Sequence, residues 1–175
     1  ELTIGELLLS PTSTFAPVLK EILKHHFDAI HGLIHCSGGG QTKCLKYMPG
    51  LFRVIKDNLF DPPRIFQLIQ EASHADDKEM YQVFNMGTRM EIYSDEKNAD
   101  ALIGISKKFG VDARIVGRVE TSNKKELLIS VGETKLRFCL FYCLFLISLC
   151  ARVAFRVASS STPLAAFHFL FGSVE

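Results

Sequence analysis

Ile30-His31-Gly32-Leu33-Ile34-His35-Cys36-Ser37-Gly38-Gly39-Gly40-Gln41-Thr42 is the stretch on which the reading of the fold turns. Its first half is short, apolar and β-branched, and it stops at three glycines. That is the pattern of a buried strand delivering the chain into a tight loop. Residues 42–48 then read as a short helix closed by Pro49-Gly50. Glycine lacks a Cβ, so backbone N–H groups in such a loop can approach an oxyanion closely, and a helix start behind it adds unpaired donors and a positive dipole end. By itself a glycine run after a strand is more often a plain turn than a ligand site.

Upstream, Thr12, Ser13 and Thr14 offer cap hydroxyls and Pro17 suits a first helical turn. Val18, Leu19, Ile22, Leu23 and Phe27 recur at helical spacing, which predicts a helix over 15–26. Downstream, residues 52–56 alternate as a strand. Asp61-Pro62-Pro63 supplies a cap and a first-turn proline for a helix over Ile65, Phe66, Ile69 and Ala72. Asp76 or Asp77 caps another, with Met80, Val83 and Phe84 on one side. Residues 89–93 read as a strand, Ser94 or Asp95 as the cap of a helix through Ala99, Leu102, Ile103 and Ser106, and Gly110 as its left-handed stop. Residues 115–120 and 126–131, joined by Ser122-Asn123-Lys124-Lys125, read as a hairpin. Helices and strands mix without strict alternation, so the fold class is α+β, a mixed β-sheet packed with helices.

A chain of 175 residues with 20 basic and 19 acidic side chains has room for one domain, and no broad field to gather nucleic acid or an anionic membrane. A small-molecule partner is expected instead. Composition breaks at Leu136, beyond which only Arg137, Arg152, Arg156 and Glu175 are charged while Phe, Leu and Cys crowd together. We divide the chain there, into a domain over 1–135 and a hydrophobic tail over 136–175. The uncharged run from Phe138 to Ala151 spans about 21 Å as a helix, short of the ~30 Å hydrocarbon core of a bilayer. A membrane span is not expected, and the lack of periodicity and caps suggests translated non-coding or shifted-frame sequence. The cysteines imply no disulfide framework, and the start at Glu1 reads as an internal piece of a cytoplasmic chain.

Several chemistries are excluded by spacing. Gly38-Gly39-Gly40-Gln41-Thr42-Lys43 lacks the Gly-Lys-Ser/Thr order of a P-loop, and no G-x-G-x-x-G follows a strand. His31 and His35 stand about 13 Å apart on a strand, too far to share one ion, and Cys36 and Cys44 are not a close zinc pair, so no metal site is expected. Asp76, Asp77 and Glu79 read as first-turn carboxylates rather than a proton-transfer pair.

Taken together in order, four segments resemble one family over 1–135. They are Leu8-Leu9-Ser10-Pro11-Thr12, the strand and triple-glycine stretch from Ile30 to Gly40, Glu79-Met80-Tyr81-Gln82-Val83-Phe84-Asn85-Met86-Gly87, and Ile115-Val116-Gly117-Arg118-Val119. This is similar to the C-terminal domain of the phosphoribosylformylglycinamidine cyclo-ligases, or aminoimidazole ribonucleotide synthetases, in their Bacteroides-type form. Departures from the commoner pattern are Ser13 and Phe15 after Pro-Thr, Arg89 after the Asn-x-Gly segment, and the lack of an asparagine soon after the glycines.

The resemblance implies an ATP-dependent ring closure in purine biosynthesis, in which formylglycinamidine ribonucleotide becomes aminoimidazole ribonucleotide with release of ADP and phosphate. It implies backbone donors at Gly38, Gly39 and Gly40 for anionic oxygens, His35 for proton transfer, and Thr12 and Asn85 as orienting polar groups. It further implies an N-terminal domain that holds most of the ATP and magnesium contacts and the main contacts of a homodimer. Without that domain this piece is not expected to turn over. Two other readings stay open: a non-catalytic nucleotide-binding or interaction remnant, and a related ATP-dependent enzyme such as a selenophosphate synthetase.

Overall fold

A computed structural model describes residues 3–9, 14–139 and 166–170. Its elements, in chain order, are α1 (Ile4–Leu9), α2 (Ala16–His26), β1 (Ile30–His35), α3 (Lys43–Tyr47), β2 (Phe52–Lys56), α4 (Arg64–Ser73), α5 (Asp77–Val83), β3 (Met90–Asp95), α6 (Ala99–Lys108), β4 (Gly117–Thr121), β5 (Glu126–Val131), β6 (Thr134–Cys139) and β7 (Ala166–Leu170). The class is α+β, with one sheet ordered β1-β3-β7 and another ordered β4-β2-β5-β6.

β3 organises the core because both of its faces are buried. Successive strand residues point to opposite sides. Tyr93 belongs to one apolar cluster with Ile34, Leu45, Val54, Met80, Leu127 and Ile129. Met90 and Ile92 belong to a second, with Val18 and Ile22 of α2 and Leu102 and Ile105 of α6. Each fully buried aliphatic side chain contributes roughly 1.5–3 kcal/mol, so this double coverage makes β3 the least replaceable strand. β1 lies antiparallel on it, His35 opposite Met90 and Leu33 opposite Ile92.

Local chemistry accounts for several element ends. Thr14 Oγ1 accepts from Ala16 N at 3.2 Å at the start of α2, which also carries Pro17 in its first turn. Asp76 caps α5, its carboxylate accepting from Glu79 N at 2.7 Å. Other expected caps fail. Pro63 precedes α4 with no side-chain cap, and Ser94 is a buried strand residue rather than a helix cap. A short 3-10 turn, Glu96–Asn98, leads into α6 instead. Ala72 and Val83, expected on apolar faces, are exposed, and the short helix α1 had no signature in the sequence.

The expected hairpin of residues 115–120 and 126–131 does not form. β2 lies between β4 and β5, antiparallel to the first and parallel to the second. Val54 of β2 pairs with both Val119 and Leu127, so inserting β2 buries three apolar side chains that a direct β4–β5 pair would leave half-covered. The two-residue hairpin is β5–β6, with Val131 opposite Thr134 and Gly132 at φ 57° in the turn.

The composition break at Leu136 does not coincide with an element boundary. β6 runs through it, and Leu136 and Phe138 pack in the first cluster. β7 pairs antiparallel with the outer edge of β3, Ile92 opposite Phe169. The rest of the tail, and with it most of the run from Phe138 to Ala151, lies outside the described residues. Among those described, no helix is long and apolar enough to cross a membrane.

Candidate functional site

β1 ends at His35, and the chain turns at once. Cys36 N donates to Arg89 O at 2.7 Å, Ser37 N to His35 O at 2.8 Å, and Gly40 N to Ser37 O at 3.1 Å. Gly39 and Gly40 both have positive φ, 94° and 48°. At Gly40 there is a second reason for glycine: a Cβ there would stand 2.3 Å from the carbonyl oxygen of Phe84. The loop is thus pressed directly onto the segment that follows α5.

Behind Gly40 the loop is anchored by a largely buried polar network. The Gln41 side-chain amide donates to the Asn85 and Thr88 carbonyls at 2.6 and 3.4 Å. Lys56 Nζ, at the buried end of β2, donates to the Gln41 carbonyl and to Gln41 Oε1, both at 2.9 Å, and to Glu91 Oε1. Glu91 also accepts from Tyr93 OH at 2.7 Å and from the Cys36 thiol at 3.2 Å. Lys56 and Glu91 are both fully enclosed. Burial disfavours the Lys56 ammonium, but the Glu91 carboxylate against it wins and raises its pKa above the ordinary lysine value. Burial pushes the Cys44 thiol up to about 11 and the Cys36 thiol up as well, so neither is a thiolate nucleophile at neutral pH.

The outer part of the loop is different. Ser37, Gly38 and Gly39 are exposed, and among the described residues nothing accepts from the Gly38 and Gly39 amides. Lys43 Nζ donates to Ser37 Oγ at 2.5 Å, and Thr42 Oγ1 donates to Gly39 O at 2.8 Å. Gly38 and Gly39 form one wall of a cleft of about 780 Å³, whose other walls come from α3, α5 and the end of β6. The helical segment after the loop is a 3-10 turn, Gly40–Thr42, and the five residues of α3. It is too short to add the dipole the sequence suggested, which leaves the anion-binding capacity with the free amides and Lys43.

β6 contributes Arg137 to the cleft, and Arg137 is held by Glu126, Nε and Nη2 donating to Glu126 Oε2 at 2.8 and 2.5 Å. Arg53 Nε donates to the other oxygen at 2.7 Å. Burial alone pushes the Glu126 carboxyl up, and the two guanidinium partners outweigh it, holding its pKa down at about 2.

The expected site residues are dispersed by this geometry. Gly38 and Gly39 face the cleft; Gly40 is buried and serves packing. His35 is exposed but does not line the cleft, and its ring meets Phe15 edge-on at 6.3 Å between centroids. Asn85 closes its own turn, Oδ1 accepting from Gly87 N at 3.0 Å, and its carbonyl anchors Gln41. Thr12 lies outside the described residues. His31 pairs with Asp95 at 3.1 Å, and among the described residues no three His, Cys, Asp or Glu side chains converge to hold a metal ion. The sequence reading missed Gln41, Lys56 and Glu91. One signal was available: Lys56 shares strand parity with Val54, and so points inward.

A family model described as AIR synthase related protein, C-terminal domain, matches residues 7–130. The phosphoribosylformylglycinamidine cyclo-ligases of Methanocaldococcus jannaschii and Bacillus thuringiensis are each 34% identical to the chain over 120 residues, which is 69% and 67% of this chain and 34% of each relative. The chain spans about a third of the length of these curated relatives. With residues 7–130 matched, a stretch that takes in the glycine loop, its buried anchor and the Asn85 turn, the chain belongs to the AIR synthase related protein family and carries its C-terminal domain.

Proposed function

We propose that the chain is the C-terminal part of an ATP-dependent phosphoribosylformylglycinamidine cyclo-ligase, closing the imidazole ring of aminoimidazole ribonucleotide. The observation that carries this reading is the glycine loop. Its inner end is locked in the core, and its outer end offers the Gly38 and Gly39 amides and Lys43 at the rim of a large cleft. When bound, ATP supplies the phosphoryl group that turns the formyl oxygen into a leaving group. The chain's own part is to meet anionic oxygen with the two amides and the Lys43 ammonium, in fixed positions that need no reorganisation. His35, three residues before Gly38 and not itself in the cleft lining, is the candidate for moving the proton released when nitrogen attacks. Magnesium does not fit the described residues, for lack of a converging donor set, so no step here runs through it.

In this reading an N-terminal domain carries most of the ATP grip, the metal and the contacts of a homodimer, and the whole enzyme works in the cytoplasm. With Leu136 and Phe138 in the core, we place the edge of the domain after Cys139 rather than at Lys135. The test is to join the chain to the N-terminal domain of a relative and follow ATP-dependent formation of aminoimidazole ribonucleotide. His35→Ala is expected to lower kcat by about 100-fold or more, the usual share of a general acid or base. A folded, joined protein without ring closure overturns the assignment; an unchanged rate in His35→Ala removes that residue alone.

A further inference from the structure

We propose that Gln41 is a positioning residue for ring closure: from inside the core it fixes the spacing between the glycine loop and the Asn85 turn, with Lys56 as its point of support. The inference rests on the cyclo-ligase reading and adds to it a residue outside the cleft lining.

Gln41 is wholly enclosed, and each hydrogen-bonding group of its side chain is used. The side-chain amide donates to the carbonyls of Asn85 and Thr88, 44 and 47 residues further along the chain, at 2.6 and 3.4 Å. Oε1 accepts from Lys56 Nζ at 2.9 Å. The same ammonium donates to the Gln41 backbone carbonyl at 2.9 Å and to Glu91, so its hydrogens all have acceptors. An enclosed ammonium with no hydrogen to spare cannot serve a substrate as an acid. What Lys56 supplies is a fixed point for both the backbone and the side chain of Gln41.

The seam that Gln41 crosses is tight on both sides. Gly40 lies against the Phe84 backbone, and Gly87, between Asn85 and Thr88, has φ 90° and would place a Cβ 2.7 Å from Pro63. Segments with so little slack cannot slide to make up for a lost tether. Apolar residues of the same volume often stabilise a fold as well as a buried ion pair does. A fully satisfied polar set adds direction, because each hydrogen bond constrains an angle as well as a distance. That direction is passed outward along the loop, since Gln41 follows Gly40 directly and Gly38 and Gly39 face the cleft. Donors aimed at developing charge can lose about a hundredfold in rate for a misplacement of about 1 Å. A loss confined to the transition state lowers kcat and leaves KM in place.

The test uses the chain joined to the N-terminal domain of a relative. Gln41→Asn is one methylene too short to reach from Lys56 to both carbonyls, and Gln41→Glu sets an oxygen against them. Each is expected to lower kcat per folded enzyme by about tenfold or more, with KM for ATP and for formylglycinamidine ribonucleotide within about twofold of the parent. Leu102→Ala on α6, an enclosed residue of the second apolar cluster, is the comparison: it is expected to lower the melting temperature and leave kcat per folded enzyme unchanged. Unchanged kcat in Gln41→Asn, a rise in KM alone, or an equal fall in Leu102→Ala overturns the inference. So does a Gln41→Asn enzyme that fails to fold, which assigns Gln41 to stability. A folded but inactive parent sinks the cyclo-ligase reading and this inference with it; an active parent with unaffected Gln41 variants sinks this inference alone.

Discussion

Gly38 and Gly40 are two positions apart in one loop and live under opposite constraints. A side chain at Gly38 meets no heavy atom within 4 Å, whereas one at Gly40 meets the Phe84 backbone at 2.3 Å. The residue after Gly40 is tied by four hydrogen bonds to Asn85, Thr88 and Lys56, while the amides of Gly38 and Gly39 have no partner among the described residues. The inner half of the loop is therefore part of the core, and the outer half is an exposed surface tethered to it. A binding loop needs both, because free donors bind tightly only if ordering them costs nothing at the moment of binding.

The largest expected effect tests the anchor. Lys56→Met leaves Glu91 charged and enclosed with no ammonium, which should destabilise the chain by about 3–5 kcal/mol in denaturant melts. A loss under about 1 kcal/mol would mean that the inner half is not locked as described. Gly40→Ala comes next, at about 2–4 kcal/mol, from overpacking against Phe84 and the positive φ. Acid titration probes the β6 side of the cleft. Glu126 has its folded pKa lowered from 4.5 to about 2, so its contribution is full above about 4.5 and fades as pH falls toward 2. Glu126→Gln should flatten that limb of the stability profile. Gly38→Ala should be the mildest, within about 0.5 kcal/mol, and equal losses at Gly38 and Gly40 would erase the contrast between the two halves.

Much of the architecture was legible because it is written locally. Residues 52–56 alternate, Asp76 stands three before Glu79, and Val18 and Ile22 repeat at helical spacing, so β2, α5 and α2 lie where those patterns put them. The failures have a common cause. Ser94 has the chemistry of a helix cap, but β3 continues through it because its backbone completes the ladder with Ile30. Residues 115–131 have the pattern of a hairpin, but β2 offers apolar partners to both strands at once. Leu136 begins a composition shift that β6 ignores, since its alternate residues fit the existing core. Each is a long-range pairing that overrode a sound local preference.

For the site, the sequence by itself determined that a strand would deliver three glycines into a tight turn, and the order of segments pointed to the family before any geometry was known. Only the tertiary structure decided which glycines face the cleft and which face the core, and that α3 and α5 bring lysines, and β6 a glutamate-paired arginine, to the same cleft. The physical reason is separation along the chain. Lys43, Lys78 and Arg137 come from three distant elements, as do Gln41, Lys56 and Glu91, and no local pattern encodes which distant side chains will share a space.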